Sequence, residues 1–183
     1  MSIAPTIPPR SERGSTLIEF GLVITVLLLF LFGIIDFGRA LYAYHFVGNA
    51  ARQATRFAIV RGTTWQNSCD DTTSLTGGCQ ASSENVQYYV QQLANGSGIY
   101  NSSGNTNPNN ASLIATLQAQ PSPDGGSLTC NTVPITPGCT AEVTVQYAFQ
   151  FIFPFLPTNR CTLSNGVAAS VCMTSTSEMV VSQ

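Results

Sequence analysis

The sequence predicts an α+β protein in which a long N-terminal membrane-spanning helix continues into an exported domain, with an antiparallel sheet packed on the outer half of that helix. Three observations support this prediction: an apolar run near the N-terminus, a helical spacing of apolar residues beyond it, and an alternating segment near the C-terminus. We therefore divide the chain into a leader at residues 1–14, a helix at 15–61 and an exported domain at 62–183.

The leader is polar, with three prolines and two arginines and no apolar periodicity. The chain is then apolar over residues 17–35, except for one glutamate, one threonine and two glycines. As a helix this run covers about 28 Å, which is close to the bilayer's hydrocarbon thickness of about 30 Å. Because Arg10 and Arg13 precede the run, we expect the leader to be cytoplasmic and everything after residue 40 to be exported.

A helical spacing of three and four residues continues past the membrane, and no proline interrupts it before Gly62. The residues with this spacing are Ala40, Leu41, Tyr44, Val47, Gly48, Ala51, Ala54, Thr55, Ala58 and Ile59. A continuous helix from about Ser15 to Arg61 would be about 70 Å long, with half of it beyond the bilayer. Small residues dominate this projecting stripe, which either anchors the core of the exported domain or packs against other subunits.

The first part of the exported domain contains loops and one amphipathic helix. Residues 62–82 are rich in Gly, Thr, Ser and Asp, which predicts a loop. The segment SSENVQYYVQQLANG predicts a helix that is capped by Ser82 or Ser83 and stops at Asn95-Gly96. An Asn/Ser-rich loop follows, and we expect a short helix around residues 113–118.

The strongest strand signal is TAEVTVQYAFQFIF at residues 140–153, where apolar residues alternate with mostly polar ones and one face is therefore buried. Upstream, SLTCNTVPITPGC predicts a partner strand and a Pro-Gly turn. Near the C-terminus, CMTSTSEMVVSQ predicts a final strand. The order of the strands stays open.

All six cysteines follow residue 65, in the region expected to be exported, and an even number in such a region indicates disulfides. Zinc binding is the alternative. Zinc ligands usually include a pair two to four residues apart, and neighbouring cysteines here are farther apart than that. Six cysteines allow fifteen pairings. Local pairing is favoured because each pair brackets a short turn-rich loop, which predicts Cys69 with Cys79, Cys130 with Cys139, and Cys161 with Cys172.

Composition argues against several classes of function. Charged residues make up 9% of the chain, lysine is absent and the net charge is −2, so we expect no nucleic-acid binding. The single histidine, His45, lies within the long helix without a supporting nucleophile and acid, so no enzymatic site is expected. Asp70 and Asp71 lack further oxygen ligands at the spacing of a calcium site and are interpreted as a loop turn. We expect no metal and no cofactor.

The most informative feature is the position of one acid near the start of the apolar run. The leader ends in Arg13-Gly14, the run begins after Ser15, and Glu19 is the fifth residue counted from Ser15. A charge within hydrocarbon costs several kcal/mol, about 2.5 to 3.5 at the centre of a span, so an acid in this position is expected to have a function.

This arrangement resembles prepilin-type sequences, in which a membrane peptidase cuts after a glycine and the new N-terminus begins the hydrophobic helix. The run RGSTLIEFGLVITVLLLFLFGIIDFGRALYAYHFVGNAARQATRFAIVRG resembles, more narrowly, the TadE family of minor pilins or pseudopilins of tight-adherence (Flp-type) pili. The motifs that carry the resemblance are Arg13-Gly14, Glu19-Phe20, Asp36-Phe37-Gly38-Arg39, and Asn49-Ala50-Ala51-Arg52 followed by Arg56.

The resemblance implies a processing site between Gly14 and Ser15, and pairing of the Glu19 carboxylate with the freed amine of Ser15. Four helical residues separate the two by about 6 Å along the axis, so pairing within one chain or with an adjacent chain is feasible. The alternative is a carboxylate that reaches the headgroups from near the edge of a simple signal anchor.

The resemblance also implies partners and a location. The partners are a prepilin peptidase, the major Flp pilin and other minor pilins, and an inner-membrane assembly platform. The location is the inner membrane, crossed once, with the exported domain periplasmic or extracellular. Incorporation into the pilus, at its tip or along the filament, stays open. Two other hypotheses compete with the pilin hypothesis. One is a signal-anchored binding or adhesin domain that does not polymerise, and the other is a secreted protein with a removed signal peptide. The secreted protein is disfavoured because the apolar run is longer than the 7 to 15 apolar residues that are usual in a signal peptide.

Overall fold

The computed structural model describes residues 13–65, 80–97, 99, 112–121, 130, 132–152 and 160–181. Several predicted features lie outside these residues, namely the leader up to residue 12, the loop with Cys69, Asp70, Asp71 and Cys79, and the Asn/Ser-rich loop over 100–111.

The described residues form two helices and five strands. The helices are α1 (Arg13–Val60) and α2 (Ser83–Ser97), and the strands are β1 (Leu113–Gln120), β2 (Thr140–Phe149), β3 (Cys161–Thr162), β4 (Ala168–Ala169) and β5 (Val171–Val180). The main sheet is antiparallel with the order β1-β2-β5, and β3 and β4 form a small separate hairpin. This is the α+β architecture that the sequence predicts, with the sheet packed on the outer half of α1.

Helix α1 runs without interruption through both predicted halves, which confirms the long helix. Its first half is an apolar run whose side chains are almost all exposed, because no other part of the described chain packs against it. Its second half is amphipathic and buries one face. The helix ends at Val60, where the Arg61 N–H bonds to the Ala58 carbonyl in a tighter turn.

The outer half of α1 provides one wall of the domain core. The buried residues on this face are Ala43, Val47, Ala50, Ala51, Ala54, Thr55 and Ala58. They pack with the alternating apolar face of β2, where Ala141, Val143 and Val145 are fully buried. Alanine lets the helix backbone approach the sheet closely, so the buried residues of the predicted stripe serve the chain's own core. Leu41 and Tyr44 of that stripe are exposed, and packing of these two against other subunits stays a prediction.

Helix α2 closes the other side of the core. The Asn85 N–H donates to the Ser82 hydroxyl over 3.1 Å, which identifies Ser82 as the cap that the sequence left between two serines. Val86, Val90 and Ala94 are buried. The helix ends at Ser97, just beyond the predicted Asn-Gly stop, and the Ser97 hydroxyl bonds back to the Ala94 carbonyl over 2.8 Å.

The short helix expected over residues 113–118 is wrong, because this segment is strand β1. Its sequence LIATLQAQ alternates, and Leu113, Ala115 and Leu117 face the core. Two neighbours hold the segment extended. β2 pairs with it along its full length, and the Gln87 side chain of α2 donates to the Leu113 carbonyl and accepts from the Ala115 N–H. A short apolar run does not by itself distinguish a helix from a strand, because the outcome depends on the segments that pair with it.

The partner strand expected from SLTCNTVPITPGC is also wrong over the described residues of that segment, 130 and 132–139, which contain no strand. Pro134 and Pro137 have no N–H to give to a ladder, and β1 and β5 occupy both sides of β2 instead. The Pro-Gly turn is present, and Gly138 has a φ of 88°, a conformation that favours glycine. The final strand is confirmed as β5, and β2 ends at Phe149, before the predicted end at 153.

Two glycines of the α1 region predict opposite effects of the same substitution. A Cβ at Gly48 would meet only the Ser175 hydroxyl at 3.9 Å, whereas a Cβ at Gly62 would lie 2.6 Å from the Ile135 carbonyl oxygen. We expect Gly48→Ala to stabilise the protein by about 0.5–1 kcal/mol through helix propensity. We expect Gly62→Ala to destabilise it by about 1–3 kcal/mol through overpacking.

The measurement is the midpoint of thermal unfolding of the full chain in detergent micelles, followed by circular dichroism. Each variant is the matched control for the other, because both add one methyl group. A shift in the same direction for both variants would contradict this packing of α1 against the sheet and the segment around Ile135.

Candidate functional site

The apolar half of α1 is the first element of the candidate site. Among the described residues, α1 is the one helix that is long and apolar enough to cross a membrane, and none of its most apolar stretch is buried against the chain. Exposed leucine, isoleucine, valine and phenylalanine side chains over 17–35 therefore need another apolar environment. The arrangement is consistent with a single-pass membrane anchor.

The predicted processing and pairing residues lie at the beginning of this half. The backbone of Gly14 and Ser15 is in the first turn of α1, and Glu19 follows one turn later with an exposed side chain. Within the described part of the chain, the Glu19 carboxylate has neither an ion pair nor a hydrogen bond. The structure thus places the acid on an apolar, exposed face and leaves it available to a cation from elsewhere.

Four of the six predicted disulfide cysteines are among the described residues. Cys130 is bonded to Cys139, and Cys161 is bonded to Cys172. The first bond closes the turn before β2, and the second ties the small β3–β4 hairpin to the start of β5. Cys69 and Cys79 are outside the described residues, so their pairing stays a prediction.

The junction between the two halves of α1 contains the contact that sequence analysis missed. Asp36 directly follows the apolar run and is only 4% exposed. Its carboxylate forms an ion pair with Arg39 over 3.1 Å, and both of its oxygens accept the Ile152 N–H, over 3.1 and 3.3 Å. A signal was present in the sequence, because an acid and an arginine three residues apart on a helix can pair. The long-range bond to Ile152, by contrast, has no local signal.

Aromatic residues in the last part of β2 and just after it extend this junction. The Arg39 guanidinium lies 5.5 Å from the centre of the Phe149 ring, and Phe149 meets Phe151 edge to face at 5.2 Å. Nearby, burial raises the pKa of Tyr147, an effect that the positive charge of Arg39 opposes. The Tyr147 hydroxyl donates to the Ile99 carbonyl over 3.4 Å. Arg39 therefore connects the carboxylate of α1 to the membrane-side end of β2.

A shallow groove of about 370 Å³ lies between α1 and β5, lined in part by His45, Asn49, Arg52 and Thr174. His45 is exposed and contacts the ring of Tyr44 edge to face. The groove contains no nucleophile positioned beside a base and an acid. The residues that the structure describes also include no cluster of three or more metal-binding side chains.

The family comparison covers the same part of the chain. Residues 14–56 match the family model described as TadE-like protein, which confirms the resemblance and makes this segment a TadE-like region. The match begins at the glycine of the predicted processing site and ends within the outer half of α1. No curated protein and no solved structure is significantly similar to the chain.

The Asp36 junction predicts a graded loss of stability. Asp36→Ala removes the acceptor of the Ile152 N–H and the partner of Arg39, so we expect a loss of about 1–3 kcal/mol from unsatisfied polar groups. Asp36→Asn keeps one oxygen acceptor and should lose less. The measurement is thermal unfolding of the full chain in micelles. Equal stability of Asp36→Ala and the unchanged protein would contradict a buried junction.

Proposed function

Because residues 14–56 are a TadE-like region, we propose that this chain is a minor pilin or pseudopilin that acts in assembly of a tight-adherence (Flp-type) pilus. The family match supports a connection with the Tad pilus machinery. The proposal adds that a prepilin peptidase cuts between Gly14 and Ser15, and that the subunit then works through the long helix. The role is structural rather than enzymatic.

The observation that carries the proposal is the coincidence of the family match with an exposed apolar half-helix. The match begins at Gly14, and the side chains of 17–35 lie outside the chain's own core. A helix of this kind can reside in lipid before assembly and pack against the helices of other subunits afterwards, because both environments are apolar. The proposed location is the inner membrane, crossed once, with the leader in the cytoplasm and the sheet domain exported.

Glu19 has a specific task in this proposal. After cleavage, the new amine of Ser15 lies about 6 Å from Glu19 along the helix axis, or adjacent to the Glu19 of a neighbouring subunit. In a low-dielectric setting, the ammonium and the carboxylate neutralise each other, which stabilises a particular axial register between subunits. The exposed side chain of Glu19, without a partner among the described residues, supports this assignment.

The proposed partners follow from the same steps. Cleavage requires a prepilin peptidase, and assembly requires an inner-membrane platform, the major Flp pilin and other minor pilins. The competing proposal is a signal-anchored adhesin domain that keeps its leader and does not polymerise. The two differ in the N-terminus of the mature protein, which begins at Ser15 in the first and at Met1 in the second.

Substitution of Gly14 tests the processing step. We expect Gly14→Phe to block cleavage in cells that contain the peptidase, because the glycine lies directly at the bond to be cut. The product should be about fourteen residues longer than the mature chain, measured by intact mass and N-terminal sequencing. Gly21→Phe is the matched control, because Gly21 is also in α1 with open space around it and should be cut normally. Cleavage of the Gly14 variant would count against peptidase recognition.

Substitution of Glu19 tests the assembly step separately. Glu19→Ala removes a charge from the apolar run, so insertion into the membrane should be unchanged or improved. Piliation should fall strongly, because the Ser15 amine loses its partner. Glu19→Gln, which keeps the size of the side chain, should show the same defect if the charge matters. Membrane fractionation and counts of surface pili measure the two effects. Normal piliation of these variants would favour the alternative hypothesis, in which the Glu19 carboxylate only contacts lipid headgroups.

A further inference from the structure

The end of the sheet domain nearest to the apolar half of α1 has a fixed position relative to the apolar run. Asp36 is the first residue after the apolar run, and its carboxylate holds the Ile152 N–H. Ile152 therefore lies at the level where α1 leaves the hydrocarbon region, if residues 17–35 span it. Val171 is close to this level, because it pairs with Phe149, whose ring is beside Arg39.

Large apolar side chains are exposed at this end. The exposed fraction is 64% for Ile152 and 39% for Val171. Phe37 and Leu41 of α1, one and five residues after Asp36, are exposed as well. Exposed apolar side chains are therefore present on α1 just beyond the apolar run and on the adjacent end of the sheet domain.

The charged side chains of the described residues also differ between the two ends of the sheet. Arg39 and Arg160 are at this end, and the backbone of Arg160 bonds to Ala169 just before β5. Among the described residues at this end, the one carboxylate is that of Asp36, which is buried and paired with Arg39. Glu142 and Glu178 face each other toward the opposite end of the sheet, seven residues along each strand from Phe149 and Val171. The carboxylates of Glu142 and Glu178 are thus held away from this end of the sheet.

We propose that this membrane-proximal rim, defined as Phe37, Arg39, Leu41, Ile152, Arg160 and Val171, is a second membrane-contact surface that inserts into the headgroup region of a bilayer containing anionic phospholipid. The apolar side chains enter the boundary between headgroups and acyl chains, and the two arginines contact lipid phosphates. The inference rests on the membrane anchorage in the proposed function and adds the orientation of the domain. The domain sits against the bilayer instead of standing free on the helix.

The test places one tryptophan at a time in the full chain, reconstituted in phosphatidylglycerol/phosphatidylcholine vesicles with brominated acyl chains, which quench nearby tryptophan. The native Trp65 is first replaced by phenylalanine. Ile152→Trp and Val171→Trp report on the rim. Val180→Trp is the matched control, because it is a valine of the same strand with 48% exposure, about 30 Å farther along β5.

We expect a blue-shifted emission and at least a twofold loss of intensity for Ile152→Trp and Val171→Trp, and no quenching for Val180→Trp. Arg160→Ala should weaken the quenching of Ile152→Trp in these vesicles. Circular dichroism checks that each variant is folded, and both rim positions are exposed enough to accept the larger ring. Equal quenching in vesicles of phosphatidylcholine alone would overturn the role of anionic lipid.

A fourth variant, Leu29→Trp, separates failure of this inference from failure of the anchor. Leu29 is in the middle of the apolar run and should be quenched in every case in which α1 spans the bilayer. If Leu29→Trp is quenched while both rim variants are not, the rim faces water or another protein and the inference is overturned, with the anchor intact. If Leu29→Trp is not quenched, the anchor and the inference both fail.

Discussion

The contact between Asp36 and Ile152 is the constraint on which the geometry of this molecule depends. The first half of α1 is apolar and exposed, whereas the second half packs into the domain core. The junction lies between these two halves. Asp36 is buried there, paired with Arg39 and bonded to the backbone after β2. A buried carboxylate without these partners would be strongly unfavourable, so the junction permits few orientations of the sheet relative to the apolar run.

The rest of the domain is built outward from the same helix. Alanines at 50, 51, 54 and 58 bring β2 and β5 close to α1, and Thr55 donates its hydroxyl to the Ala51 and Ser177 carbonyls within this contact. The outer half of α1 is therefore part of the core and not a stalk below it.

Local sequence signals predicted an element correctly where its conformation depends on residues within that element. The uninterrupted helix, the Ser82 cap of α2 and the final strand all follow from periodicity or capping chemistry within a few residues. The same signals failed at residues 113–118, where a short apolar run became β1 because β2 and Gln87 supply hydrogen bonds to it. They also failed upstream of β2, where two prolines exclude the ladder that the sequence suggested.

For the candidate site, the sequence by itself determined the apolar run, the glycine before it and the acid near its start, because each of these features lies within a few contiguous residues. Only the tertiary structure decided that most of the predicted stripe, including Ala51, Ala54 and Ala58, is buried in the chain's own core. It alone also decided that Asp36 holds Ile152, 116 residues away. Such contacts depend on which distant backbone groups the folded sheet brings to the helix, and no local pattern of residues encodes that position.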